Sequence, residues 1–367
     1  MIELTEMNVV EYLRKRGAVG NGEVLVKSLS GGVAGIVLKI MDVDYGEPLG
    51  TDMRTESQKK RGVPDKRMRE GRCFVIKQPL EKFRTKAEWF VDRDRIWVER
   101  DALQMLVKTV PAGGIPEVLW SDEDNFILAV SAAPAGALNW KSELLAGRVD
   151  KRCFEAAARF LAAMHAGTAG QKAFSDRFGE PRLFIQQRID PYLNFTAQKH
   201  PELADELAKV SDLLLKNPIC LIHGDYSPKN MLVIPEPDQS IRLMLLDFEV
   251  NFYGHPSFDA ATLINHLLLK GFHHGQHWRR FMLAADGFWH TYQARATKPI
   301  AKEVTSSAGR VLGALMLARI DGKSPVEYIT DEALKDRVRQ CAAAILKLPD
   351  TGLDLALDTA GEFLDRE

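Results

Sequence analysis

Two short apolar runs near the middle of the chain, each leading into an aspartate, constrain the fold more than any other feature. They lie in residues 221–259, LIHGDYSPKNMLVIPEPDQSIRLMLLDFEVNFYGHPSFD. The runs CLI (Cys220–Ile222) and LMLLDF (Leu243–Phe248) are bounded by turn residues, the pattern of buried strands. A carboxylate at the end of a buried strand is costly unless it is paired or binds a cation. Here Asp225, Asn230, Asp247 and Glu249 come as a set. A lone aspartate in such a place reads as an ordinary turn or a local cap. Four hard oxygen-bearing side chains at the ends of neighbouring strands read as a site.

Asp225 and Asn230 are five residues apart, as the Asp and Asn of the protein-kinase catalytic loop are. Asp247 is followed by Phe248, as in the kinase D-F-G element, with Glu249 in place of the glycine. HGDYSPKN followed by LLDFE resembles the aminoglycoside phosphotransferase and choline kinase group of small-molecule kinases. The continuation VNFYGHPSFDAA is most similar to methylthioribose kinases. The resemblance extends from about Gly31 to Arg319. It implies an α+β, two-lobed, protein-kinase-like fold. Residues 1–131 would be an N-lobe, a small antiparallel sheet with one helix, and residues 132–367 a larger, mainly helical C-lobe.

The N-terminal half supplies matching parts. EVLVKSLSGGVAGIVLKIMDV reads as two strands around a turn, a hairpin with Gly31, Gly32 and Gly35 at its tip. By resemblance, this hairpin covers the nucleotide phosphates, where only glycine lets backbone N–H groups approach closely. Residues 45–72 are polar and rich in both charge signs, an extended connection between strands. CFVIKQ resembles the lysine strand of kinases, so Lys77 is expected to hold the nucleotide phosphates. The next segment, DRDRIWVERDALQMLVKTV, has helical period, with Ile96, Leu103 and Leu106 on one face. Glu99 on it is the expected ion-pair partner of Lys77, with Asp101 as the fallback. NFILAVSAAP reads as the last strand of the lobe, and by the resemblance alone Val130 falls at the hinge whose backbone meets the adenine.

On this reading Asp225 is the catalytic base for an acceptor hydroxyl. Asn230, Asp247 and Glu249 hold Mg²⁺, and ATP is the phosphoryl donor. His223 shapes the loop, and Asp259 is an N-cap that also braces it. Arg310, in GRVLGALMLAR, resembles an acceptor-binding arginine of methylthioribose kinases. The acceptor-side segments carry a mixture of charges, including Arg188, Asp190, Arg310, Arg319 and Lys323. That mixture leans towards a neutral or anionic acceptor, with a methylthioribose-like sugar, an amino alcohol and an aminoglycoside all left open. Competing classes are a non-catalytic nucleotide-binding pseudokinase and an unrelated metal-dependent hydrolase.

Composition narrows the alternatives. A net charge of −1 gives no field that would draw the chain to nucleic acid or to a membrane surface. No apolar run approaches the roughly 18 residues of a membrane helix. The four cysteines form no C-x-x-C pair, which fits a reducing cytoplasm and argues against zinc. At 367 residues a large core can be buried. The sequence does not decide between a monomer and a homodimer.

Overall fold

A computed structural model describes residues 1–29, 34–43, 72–84, 88–349 and 352–366. Gly31 and Gly32 lie outside the described residues, as does nearly all of the 45–72 connection. The chain divides into two compact units, residues 1–84 with 117–132 and residues 85–116 with 133–367.

The smaller unit is an antiparallel sheet. Its strands are β1 (Val24–Ser28), β2 (Gly35–Asp42), β3 (Arg72–Pro79), β4 (Val118–Asp122) and β5 (Ile127–Ser131). They lie in the order β1-β2-β3-β5-β4. β1 and β2 pair as the expected hairpin, from Val24 opposite Asp42 to Ser28 opposite Leu38. Alternation then decides which face each residue serves. Phe74 and Ile76 of β3 enter a core with Leu38, Ile40, Ile127 and Ala129. The short helix α1 (Val9–Lys15) adds Val9 and Leu13 to it. Lys77 follows Ile76 and therefore points to the other face, between Val37 and Leu128.

The larger unit opens with α2 (Arg95–Leu106), the helix that carries Glu99. The second segment of the smaller unit ends at Ala132, and α2 groups with the larger unit rather than with the sheet. The reason is anchorage. Arg95 pairs with Glu249, Arg177 with Asp101, and the Trp89 indole donates to the Gln186 carbonyl at 2.9 Å. Arg242 donates to the Gly113 carbonyl at 2.9 Å.

After β6 (Leu138–Asn139) come α3 (Trp140–Leu145), α4 (Lys151–Thr168) and α5 (Lys172–Phe178). A helical stretch over residues 182–199 widens into π turns across Ile185–Asn194. Next follow α6 (Ala204–Lys216) and four short strands: β7 (Cys220–Ile222), β8 (Met231–Pro235), β9 (Ile241–Leu245) and β10 (Phe252–Gly254). β7 pairs with β10, and β8 with β6 and β9. Five helices close the unit: α7 (Ser257–His274), α8 (Trp278–Arg295), α9 (Lys298–Asp321), α10 (Glu332–Leu346) and α11 (Leu353–Leu364). α7 is apolar nearly all round and correspondingly buried on almost every side. Among the described residues, no helix is long and apolar enough to cross a membrane.

Candidate active site

Asp225 lies in the loop between β7 and β8, and backbone constraints shape that loop first. Gly224 has φ +73°, and a Cβ there would sit 2.5 Å from the Val250 carbonyl oxygen. Only glycine satisfies both conditions. The N–H groups of His223 and Gly224 donate to Asp259 Oδ2 at 2.6 Å and Oδ1 at 2.9 Å. Asp259 thus braces the loop, but it is not an N-cap. α7 begins at Ser257 with Pro256 in the N-cap position, where no side-chain cap bond is made. Asp259 stands in the first turn, with its carboxylate spent on the neighbouring loop. His165 supports it, with Nε2 3.4 Å from Asp259 Oδ2 and Nδ1 2.8 Å from the Tyr292 hydroxyl.

His223 ties the loop to the strand that delivers Asp247. Its Nδ1 accepts from the Asp225 N–H at 3.2 Å, so Nε2 is the atom that donates to the Leu246 carbonyl at 3.0 Å. Burial lowers the His223 pKa against the pull of Asp259, Asp225 and Asp247, and the neutral ring this favours makes both bonds. The ring also packs edge-on against Phe248, with centroids 4.7 Å apart.

Asn230 supplies the second tie. Its Nδ2 donates to the Asp225 carbonyl at 3.0 Å, and its own carbonyl accepts from the Leu246 N–H at 2.8 Å. The amide nitrogen is used in that bond, and Oδ1 is the end a hard cation takes. Asp247, next in the chain, has φ +70°. Asp and Asn enter this left-handed region more readily than other side-chain-bearing residues.

The Asp225 carboxylate is 11% exposed and carries two cations on Oδ2: Arg188 Nη2 at 3.2 Å and Lys229 Nζ at 2.9 Å. Burial alone would raise its pKa. Lys229 and Arg188 outweigh burial and hold the carboxyl well below the usual carboxylate range. Arg188 is itself fixed by donating to the carbonyls of Gly224 and Gln187. It comes from the π-turn stretch, a geometry frequent at functional sites. Beside Asp225 a small pocket opens, lined by Arg188, Tyr192, Asn265, His266 and Arg319 among others.

The remaining expected site residues lie on other elements. Gly35, Lys77 and Val130 belong to the smaller unit, at the start of β2, mid-β3 and late β5. Glu99 is buried on α2, in the larger unit. Arg310 is not among the residues lining the pocket; its Nε lies 3.5 Å from Glu206 Oε2. Arg310 and Arg319 are nine residues apart on α9, and at about 100° per residue that sets them on opposite sides of the helix.

Glu249 is held by an ion pair. Its Oε2 accepts from Arg95 Nε at 3.0 Å, and the Arg95 side chain is fully buried. Removing one partner of a buried ion pair strands the other charge, at a cost of about 3–5 kcal/mol. Glu249→Gln should therefore lower the melting temperature by several degrees while leaving the Mg²⁺ dependence of nucleotide binding unchanged. A rise in the Mg²⁺ requirement without loss of stability would place Glu249 on the metal.

Among the described residues, no three His, Cys, Asp or Glu side chains gather as a metal cluster. Mg²⁺ does not require one, since it is commonly held by one or two carboxylates, waters and substrate phosphates. Asp247 with the Asn230 oxygen fits that donor set.

Known proteins resemble this chain along the same lines. Residues 93–296 match the phosphotransferase enzyme family, APH. A methylthioribose kinase of Pectobacterium atrosepticum is 25% identical over 294 residues, which cover 72% of this chain and 66% of that enzyme. A choline/ethanolamine kinase of Mus musculus is 30% identical over 93 residues, 23% of either chain. The chain thus matches just under two thirds of the one relative and about a quarter of the other. Among solved structures, a choline/ethanolamine kinase family protein from Mesorhizobium loti superposes with a TM-score of 0.52. The superposition covers 96% of this chain and 98% of that one, at 16% identity, a likeness of fold. That fold is protein-kinase-like, an antiparallel sheet unit joined to a mainly helical one. The chain belongs to the phosphotransferase enzyme family, and its relatives are kinases of small molecules.

Proposed function

We propose that this protein transfers the γ-phosphoryl group of ATP to a hydroxyl of a small metabolite, with Asp225 facing that hydroxyl. The observation that carries the reading is one local construction. Asp225 and Asn230 share a loop, and Asn230 and His223 fasten that loop to Leu246, one residue before Asp247. Phosphoryl transfer needs reacting groups held in line and charge neutralised more than it needs covalent chemistry.

Each residue then has a physical task. Asp225 accepts a hydrogen bond from the acceptor hydroxyl and aligns its oxygen with the phosphorus. A carboxylate held so far below its ordinary pKa is a weak base. Its work is orientation first, with the proton taken late, as a loose transition state allows. Lys229, on the same carboxylate, offers a cation to the oxygens of the moving phosphoryl group. Asp247 and Asn230 present oxygens for Mg²⁺, which when bound neutralises phosphate charge. In the smaller unit, Lys77 is the candidate ligand of the nucleotide phosphates.

Asp247 offers a sharp test, because its conformation limits which variant is informative. Alanine would be strained at φ +70°, whereas asparagine tolerates that region and removes only the charge. Asp247→Asn should fold normally and weaken Mg²⁺-dependent ATP binding by about tenfold or more, about 1.4 kcal/mol. Unchanged Mg-ATP affinity would remove Asp247 from the metal. The function as a whole is tested by coupled ADP release against a panel of hydroxylated metabolites. ATP with Mg²⁺ should raise the melting temperature, and one class of acceptor should release ADP. Nucleotide binding without acceptor-dependent turnover would make the protein a binding module.

A further inference from the structure

The pocket beside Asp225 is cationic, and its polar groups are not all used. Its walls carry two guanidinium groups, Arg188 and Arg319, against one carboxylate, Asp225. The two arginines flank the Tyr192 ring, their Cζ atoms 5.5 and 5.8 Å from its centroid. Arg188 is committed to Asp225 and to backbone carbonyls. Arg319 is steered by its Nη1, which donates to the Tyr192 hydroxyl and to Ser324. Its Nε is buried with no hydrogen-bond partner among the described residues. Asn265, 1% exposed on α7, likewise has a buried Oδ1 with no partner among them. An unused charged donor and an unused acceptor in one pocket leave a desolvation cost that a ligand would relieve.

We propose that the acceptor is a small hydroxylated anion whose carboxylate or phosphate sits on Arg319 beside Tyr192, with a second hydroxyl on Asn265. This rests on the kinase reading and narrows it, since amino alcohols and aminoglycosides bring the opposite charge. The surroundings of Tyr192 agree. Burial would raise its phenol pKa, but Arg319 and Arg188 outweigh burial and lower it, the mark of a strongly positive site.

The test uses gluconate as the carboxylate probe, ribose 5-phosphate as the phosphate probe, ribose as the neutral one and choline as the cationic one. Each is titrated by calorimetry into the full chain with Mg-ADP, and each is assayed for ADP release from Mg-ATP. One anionic probe should bind at least about tenfold tighter than ribose or choline, and which one does so identifies the anion. Arg319→Gln should weaken that probe by about ten- to a hundredfold, the worth of a charge-assisted hydrogen bond. Mg-ADP affinity should stay the same, and Arg319→Lys should recover part of the loss. Asn265→Asp, nearly isosteric, should reject the anion if Arg319→Gln proves unstable. Equal or tighter binding of ribose or choline overturns the inference. It leaves the kinase reading intact wherever those acceptors release ADP, and that reading fails separately if Mg-ATP does not bind.

Discussion

Asp225→Asn should lower kcat by roughly 10²–10⁴, the range for a lost general base, while changing Mg-ATP affinity less than about tenfold. The variant keeps the size of the side chain and its bond to Lys229 or Arg188. What it loses is the negative charge that faces the acceptor hydroxyl. Two readouts separate this from a folding defect. The first is calorimetric titration of Mg-ATP, which should be nearly unaffected. The second is the pH profile of kcat. Because Lys229 and Arg188 hold Asp225 well below the usual carboxylate range, no Asp225 titration should appear between pH 5 and 9. Any break in that window belongs to another group. The same depression has a stability consequence. A carboxyl whose folded pKa lies below its unfolded value stabilises the protein above the unfolded pKa of about 3.9. That contribution fades as pH falls below the unfolded value and is gone below the folded one. Near-wild-type turnover in Asp225→Asn would end the mechanism.

Asp259→Ala should be the most damaging single change outside the reacting groups. Its two oxygens accept from the N–H groups of His223 and Gly224, in a site with no exposure. Alanine leaves two buried donors unsatisfied, at about 1–3 kcal/mol each. It also frees His165 from one of its two partners. We expect a loss of about 2–6 kcal/mol in unfolding free energy, with activity falling further than the folded fraction does as Asp225 loses its fixed position. Asp259→Asn offers one acceptor oxygen in place of two and should fall between. Denaturant titration alongside turnover measures both. A stable Asp259→Ala protein with normal kcat would show that the loop holds itself.

The parts legible in the sequence were those written in one stretch. The loop carrying Asp225 and Asn230, the strand leading to Asp247 and the hairpin of β1 and β2 each follow from local period and turn chemistry. Asp259 was legible as a brace through the resemblance of HPSFDAA to an element of aminoglycoside phosphotransferases. Its place within the first turn was not, since Pro256 and Ser257 are both acceptable starts. Partners that meet only through tertiary folding were hidden. Nothing near Arg95 points to Glu249, and nothing near Asp225 points to Arg188 or Tyr192. Asn265 and His266 looked like ordinary members of a buried helix. Arg310 was the acceptor-binding candidate in sequence and Arg319 only one charge among several, and helix phase separates them. α2 was expected with the sheet because period identifies a helix without naming what it packs against.

The π turns across Ile185–Asn194 carry a further consequence, for how this pocket could change over generations. An α-helix becomes locally wide by gaining one residue, and losing one restores the ordinary spiral. Deleting a single residue between Arg188 and Tyr192 would let the stretch relax to the ordinary spiral and change the bearing of Tyr192 relative to Arg188. Tyr192 would leave its station between the two arginines, while Arg188 stayed on Asp225. Acceptor preference could then shift in one step, by a change of length rather than of side chain, with the phosphoryl-transfer machinery untouched. Relatives that differ in acceptor are therefore best compared by the number of residues across this stretch, before their side chains are compared at all.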